Sequence, residues 1–152
     1  MTPVALWDES FNSQAVSIPV VRQGIRKALL DAGFADDLVD IALLLGSELA
    51  TNALRHGSES DQSDFEVRLV PDPVGLYLEV ADSNQTMPQP RRVHHDEEDG
   101  RGLLLLTQLG QKWGVTLTAG TGKVTWVLIR TILPEPLRSA CQAARRGAPT
   151  CA

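Results

Sequence analysis

Cysteine is scarce in this chain: its 152 residues include only Cys141 and Cys151, both close to the C-terminal end. A disulfide between them would staple only a tail, so the pair reads as reduced thiols in a cytoplasmic protein. Long apolar runs are missing as well. None approaches the ~18 residues of a membrane-spanning helix, and "MTPVALWDES" lacks the basic segment and apolar stretch of a secretory signal. Nor is there an excess of positive charge. Lysine and arginine number 14 against 19 aspartates and glutamates, a net charge of −5, which argues against a broad basic surface for nucleic acid. No membrane and no direct nucleic-acid partner are expected. The remaining composition, 43% hydrophobic and 22% charged, is that of an ordinary globular protein. The length suits a single domain that can bury a core.

No internal repeat interrupts the chain. "ALWDESF" is the most strand-like part of a leading strand or coil. Helical spacing of Val21, Ile25, Ala28 and Leu29 predicts a helix from Val20 to Ala32, with Gly33 where a C-terminal cap belongs. Asp36 is placed to cap a second helix, whose apolar positions Leu38, Ile41, Ala42, Leu45, Leu49 and Ala53 continue toward Gly57. The period then changes. "FEVRLV" (65–70) and "LYLEVADS" (76–83) alternate as half-buried strands do, and "PDPVG" supplies the turn between them. Residues 84–101 contain two prolines and a charge run but no periodicity, the mark of a long functional or disordered loop. "GLLLLTQLG" (102–110) reads as a short helix. "WGVTLTA" and "KVTWVLIRTIL" read as two further strands around a "GTG" turn, and a last helix is expected at Leu137–Arg145. Adjacent strand pairs with intervening helices predict an α+β two-layer sandwich, its sheet mixed and mostly antiparallel with helices on one face.

Three features of this layout carry chemistry. In "GSELATNALRHG" (46–57), Glu48, Asn52 and His56 recur every fourth residue and so share one helix face. Asparagine is a poor choice for a helix interior, but its amide oxygen can ligate a hard cation. Asp82 has the same strand parity as Leu76, Leu78 and Val80, which turns a carboxylate toward the core; that is costly unless the group is hydrogen-bonded. Gly100-Arg101-Gly102 then opens a helix, where backbone N–H groups and the helix dipole favour phosphate. Together these could bind a nucleotide, with the long loop folding over it. "HHDEED" (94–99) reads as a solvated charged loop rather than a metal centre, since it lacks the spacing of a structural zinc site.

The same segments resemble the GHKL ATPases, the gyrase, heat-shock-chaperone, histidine-kinase and mismatch-repair types. More closely, they resemble the small anti-sigma-factor serine/threonine kinases, especially the short actinobacterial ATP-binding regulators of that group. "SELATNALRHG" is similar to their N box, "VADS" to the start of their first glycine box, "GRGLLLLTQLGQKWGV" to their second, and "GKVTWVLI" to a late nucleotide-contacting strand. The motifs occur in the family's order over residues 15 to 130. The resemblance implies one ATP-binding domain of the Bergerat type, its core at about 15–133, followed by a C-terminal helix and tail at 134–152. It implies ATP and Mg²⁺ as ligands, Glu48 as the catalytic base and Asn52 as the Mg²⁺ holder. Asp82 would read the adenine amine, while Gly100 and Gly102 lie at the phosphates with Arg101 and Leu103 in the same loop. Thr125 would contact the nucleotide. The implied partners are a sigma factor, an antagonist (anti-anti-sigma) protein and a second copy of the chain.

One box departs from the pattern. The usual Asp-x-Gly-x-Gly is here Asp82-Ser83-Asn84-Gln85-Thr86, without either glycine. Asn84 stands in for the first, because asparagine tolerates the left-handed backbone better than most residues. The departure keeps a second expectation open, a nucleotide-responsive protein-binding module without kinase turnover. A third reading is a metal-binding helical protein that uses Glu48, His56, His94 and His95.

Overall fold

The alternating segments pair into one sheet, and the segments of helical spacing pack across it. The computed structural model describes residues 4–12, 17–56, 64–83, 112–118 and 122–146. In chain order these form strand β1 (Trp7–Phe11), helices α1 (Ser17–Asp31) and α2 (Asp36–His56), strands β2 (Phe65–Asp72), β3 (Gly75–Asp82), β4 (Lys112–Leu117) and β5 (Lys123–Arg130), and helix α3 (Glu135–Arg146). The sheet runs β1-β2-β3-β5-β4, and every neighbouring pair is antiparallel. This is the expected α+β sandwich, with no parallel pair among the described strands. The predicted helix at 102–110, Asn84, and Gly100 to Leu103 lie outside the described residues.

Helix α1 starts at Ser17, earlier than its apolar spacing alone predicts. The Ser17 hydroxyl donates to the Asn12 carbonyl at 2.8 Å, and Pro19 falls in the first turn, where a missing N–H costs nothing. The helix closes as predicted. Gly33 has φ +89°, its N–H bonds to the Leu30 carbonyl, and the Phe34 N–H bonds to the Leu29 carbonyl. That is a Schellman cap, and its apolar contact is made by Leu29 and Phe34, both buried. The start of α2 differs from the sequence reading. The Ala35 carbonyl accepts from the N–H groups of Leu38 and Val39, so Ala35 is the cap. Asp36 and Asp37 sit inside the first turn and act on the helix dipole instead.

One sheet face is almost wholly apolar. Val67 pairs with Val80, Leu69 with Leu78, Leu76 with Ile129 and Leu78 with Val127. All of them are buried, and Ile25, Leu29, Leu45 and Leu49 from α1 and α2 complete the core against them. Each such side chain contributes about 1.5–3 kcal/mol by leaving water. The other face is mixed. Arg68 reaches Glu79 at 3.5 Å and Glu66 at 3.8 Å, and Tyr77 meets Trp126 edge-on at 5.8 Å. Leu137 and Cys141 attach α3 to the core. Among the described residues, no helix is long and apolar enough to cross a membrane.

Candidate functional site

Helix α2 is apolar where it meets the sheet and polar along the adjoining stripe. Leu45, Leu49, Ala50 and Ala53 are buried, whereas Ser47, Glu48, Thr51 and Asn52 are half-buried. Small polar residues inside a helix return their hydroxyls to the preceding turn. Ser47 donates to the Leu43 carbonyl at 2.6 Å and Thr51 to the Ser47 carbonyl at 2.7 Å. Arg22 of α1 then reaches across, its Nη1 donating to Ser47 Oγ at 2.7 Å and to the Leu43 carbonyl at 3.1 Å. This clamp fixes the rotation of α2 at the residue next to Glu48. Gly46 lies against Leu78 of β3, so the helix that carries Glu48 and Asn52 covers the face to which Asp82 belongs.

On that face the β3–β5 ladder changes character toward one end. After the apolar pairs Leu76–Ile129 and Leu78–Val127 come Val80 opposite Thr125, and then Asp82 opposite Lys123. Lys123 Nζ donates to Asp82 Oδ1 at 3.1 Å, with the lysine side chain 4% exposed and the aspartate side chain 7%. The inward turn expected of Asp82 is therefore present, and an ammonium meets the cost of burying the carboxylate. Among the described residues no other ion pair is buried to this extent. Leaving either charge alone in such a place costs about 3–5 kcal/mol. Thr125 is buried one pair further into the sheet.

Lys123 carries no role in the sequence reading, although a signal was there. Lys123, Thr125, Val127 and Ile129 share one parity, so a lysine heads an otherwise core-facing row. Only the antiparallel register, which depends on the whole sheet, identifies Asp82 as its partner. Both residues border an open cleft of about 380 Å³ at this end of the sheet, which also touches Asp64, Glu66, Ser83 and Thr118. Clefts on the outer face (≈ 390 Å³) and beside Trp7 (≈ 480 Å³) contain no buried ion pair.

The remaining candidates are placed only in part. Asn84, Gly100, Arg101, Gly102, Leu103, His94 and His95 lie outside the described residues, as does the His56 side chain. Among the described residues, no group of three or more histidines, cysteines, aspartates or glutamates gathers as a metal centre. Mg²⁺ needs no such cage. It is ordinarily held by one or two protein oxygens together with substrate phosphates, and the amide of Asn52, one helical turn from Glu48, fits that requirement.

A comparison with curated proteins finds no match. The family model of the histidine kinase-like ATPase domain does match, over residues 11–130. That span takes in β2 to β5, α1, α2 and the last residue of β1, and with them Glu48, Asn52, Asp82, Lys123 and Thr125. Such domains bind ATP, usually together with Mg²⁺. With its antiparallel sheet, its covering helices and a carboxylate turned inward at the end of β3, the chain belongs to the histidine kinase-like ATPase domain family.

Proposed function

We propose that this chain is a small ATP–Mg²⁺-binding regulator of the anti-sigma type. It transfers the γ-phosphate of ATP to a serine or threonine of an antagonist protein, binds a sigma factor, and works as a homodimer. The observation that best supports this is the buried Asp82 at the polar end of the β3–β5 ladder, on the face covered by α2. A carboxylate held there accepts a hydrogen bond from an exocyclic amine. Asn52 offers its amide oxygen to Mg²⁺, and Glu48 orients the attacking hydroxyl and takes its proton. Mg²⁺, when bound, neutralises charge on the phosphates. Phosphoryl transfer relies mostly on positioning and charge neutralisation, so this small set of groups is sufficient.

The partners rest on the resemblance of "SELATNALRHG" and "GRGLLLLTQLGQKWGV" to the anti-sigma kinases. Mass spectrometry of proteins that co-purify with the chain, with and without ATP, identifies them, and transfer of labelled γ-phosphate to the captured partner tests the activity. Glu48→Ala should retain nucleotide binding and lose transfer by ~10²–10⁴-fold, the usual contribution of a general base. Asn52→Ala should weaken both. A second reading is favoured by the first glycine box, which lacks both glycines between Asp82 and Thr86. In that reading the chain is a nucleotide-responsive binding module. It prevails if the parent protein binds ATP and partner and transfers nothing.

A further inference from the structure

Lys123 occupies a place that a lysine has reason to avoid. The row it heads continues as Thr125, Val127 and Ile129, and the row opposite continues from Asp82 as Val80, Leu78 and Leu76. A valine or leucine pair would extend that apolar ladder without the desolvation cost of two buried charges. The pair stands at the border of the ≈ 380 Å³ cleft, so a ligand entering beside Asp82 also meets Lys123.

We infer that Lys123 is a second base-reading residue, whose ammonium donates to ring nitrogen N1 of the purine whose 6-amino group is accepted by Asp82. The inference rests on the nucleotide-binding reading above and specifies its base. The Watson–Crick edge of adenine carries a donor, the 6-amino group, next to an acceptor, N1. Such an edge is read by hydrogen bonds from the protein. The protein offers the complement in the same order, a carboxylate oxygen and an ammonium 3.1 Å apart. An ammonium has three donors and a carboxylate about four acceptor sites, so each can serve more than one partner at once. Guanine and hypoxanthine in the same orientation bring a carbonyl to the carboxylate and an N1–H to the ammonium. Acceptor then faces acceptor and donor faces donor, so both are rejected at two positions.

Calorimetry on the full chain with Mg²⁺ and three nucleotides, ATP, 1-deaza-ATP and inosine triphosphate, tests this. Replacing N1 by C–H removes only the acceptor read by Lys123, so the parent should bind 1-deaza-ATP about tenfold or more weakly than ATP, and inosine triphosphate more weakly still. Lys123→Met should weaken ATP and bring ATP and 1-deaza-ATP to equal affinity. If the methionine variant does not fold, Lys123→Val, which has no donor and suits a strand, replaces it with the same expectation. Equal binding of ATP and 1-deaza-ATP by the parent overturns the role of Lys123 while leaving adenine recognition by Asp82 standing. Tighter ATP binding by the Lys123 variant also overturns it, because the ammonium would then be a competitor for Asp82. If the parent binds no ATP at all, the nucleotide-binding reading fails and takes this inference with it.

Discussion

Neutralising Asp82 and Lys123 singly and together measures how deeply the site is buried. The two groups are 3.1 Å apart with side chains 7% and 4% exposed, so water from the cleft only partly compensates either charge when the other is removed. Asp82→Asn leaves an ammonium facing a neutral amide, and Lys123→Met leaves a carboxylate facing a thioether. Each change should cost about 3 kcal/mol, the lower end for breaking a buried pair, because the cleft gives water some access. In a domain of this size that lowers Tm by about 6–12 °C. Independent sites would cost about 6 kcal/mol together. The double variant buries neither charge, so it should cost no more than one single change, a coupling of about 3 kcal/mol. The assay is urea denaturation of the four proteins followed by circular dichroism, with thermal melts as a second readout. Additive costs, or single costs inside the ±0.5 kcal/mol of an ordinary surface change, would show that the pair is solvated and that the site is not a buried one.

Two further outcomes concern the same end of the sheet and the C-terminal helix. A Cβ at Gly122 would lie 2.7 Å from the Asp82 carbonyl oxygen and 2.8 Å from Thr118 Oγ1, so Gly122→Ala should cost about 1–3 kcal/mol by overpacking. An unchanged urea midpoint would contradict that contact. In α3, burial, with a smaller effect from the Asp72 carboxylate, raises the Cys141 thiol above its ordinary value, while Arg145 acts the other way. The thiolate is the reactive form, so in a Cys151→Ser protein iodoacetamide should label Cys141 more slowly in the native state than in urea; equal rates would contradict the shift. Because the folded value is the raised one, this group's contribution to stability is full below the unfolded thiol's pKa and is lost as pH rises through the folded value.

The fold was legible where one local rule decided the outcome. Gly33 could only end a helix, and it does so with both Schellman bonds. The alternation of Phe65, Val67 and Leu69, and of Leu76, Leu78 and Val80, fixed both strands and the face they bury. Asp82 followed from the same parity. What escaped was decided by tertiary register. Nothing near Lys123 in sequence names Asp82 as its partner, because β4 and the segment before it separate the two strands that meet. The cap of α2 escaped for a smaller reason. Asp36 has the side chain of a cap, but the backbone gives the place to Ala35 and leaves the carboxylates in the first turn. Glu48 and Asn52 were legible as a stripe on one helix face. The clamp by Arg22 that orients this stripe comes from α1, too far along the chain for helical spacing to reveal.

Nucleotide recognition at the buried end of β3 is the step on which the proposed function depends. Isothermal calorimetry of ATP with Mg²⁺ on the parent chain and on Asp82→Asn, each shown to be folded by circular dichroism, tests it most directly. The parent should bind, and the variant should lose ~2–3 kcal/mol, about 30- to 150-fold in affinity, because an acceptor for the exocyclic amine is lost and polar groups are left mismatched. Equal affinity in the two proteins, or no binding by the folded parent, would contradict it.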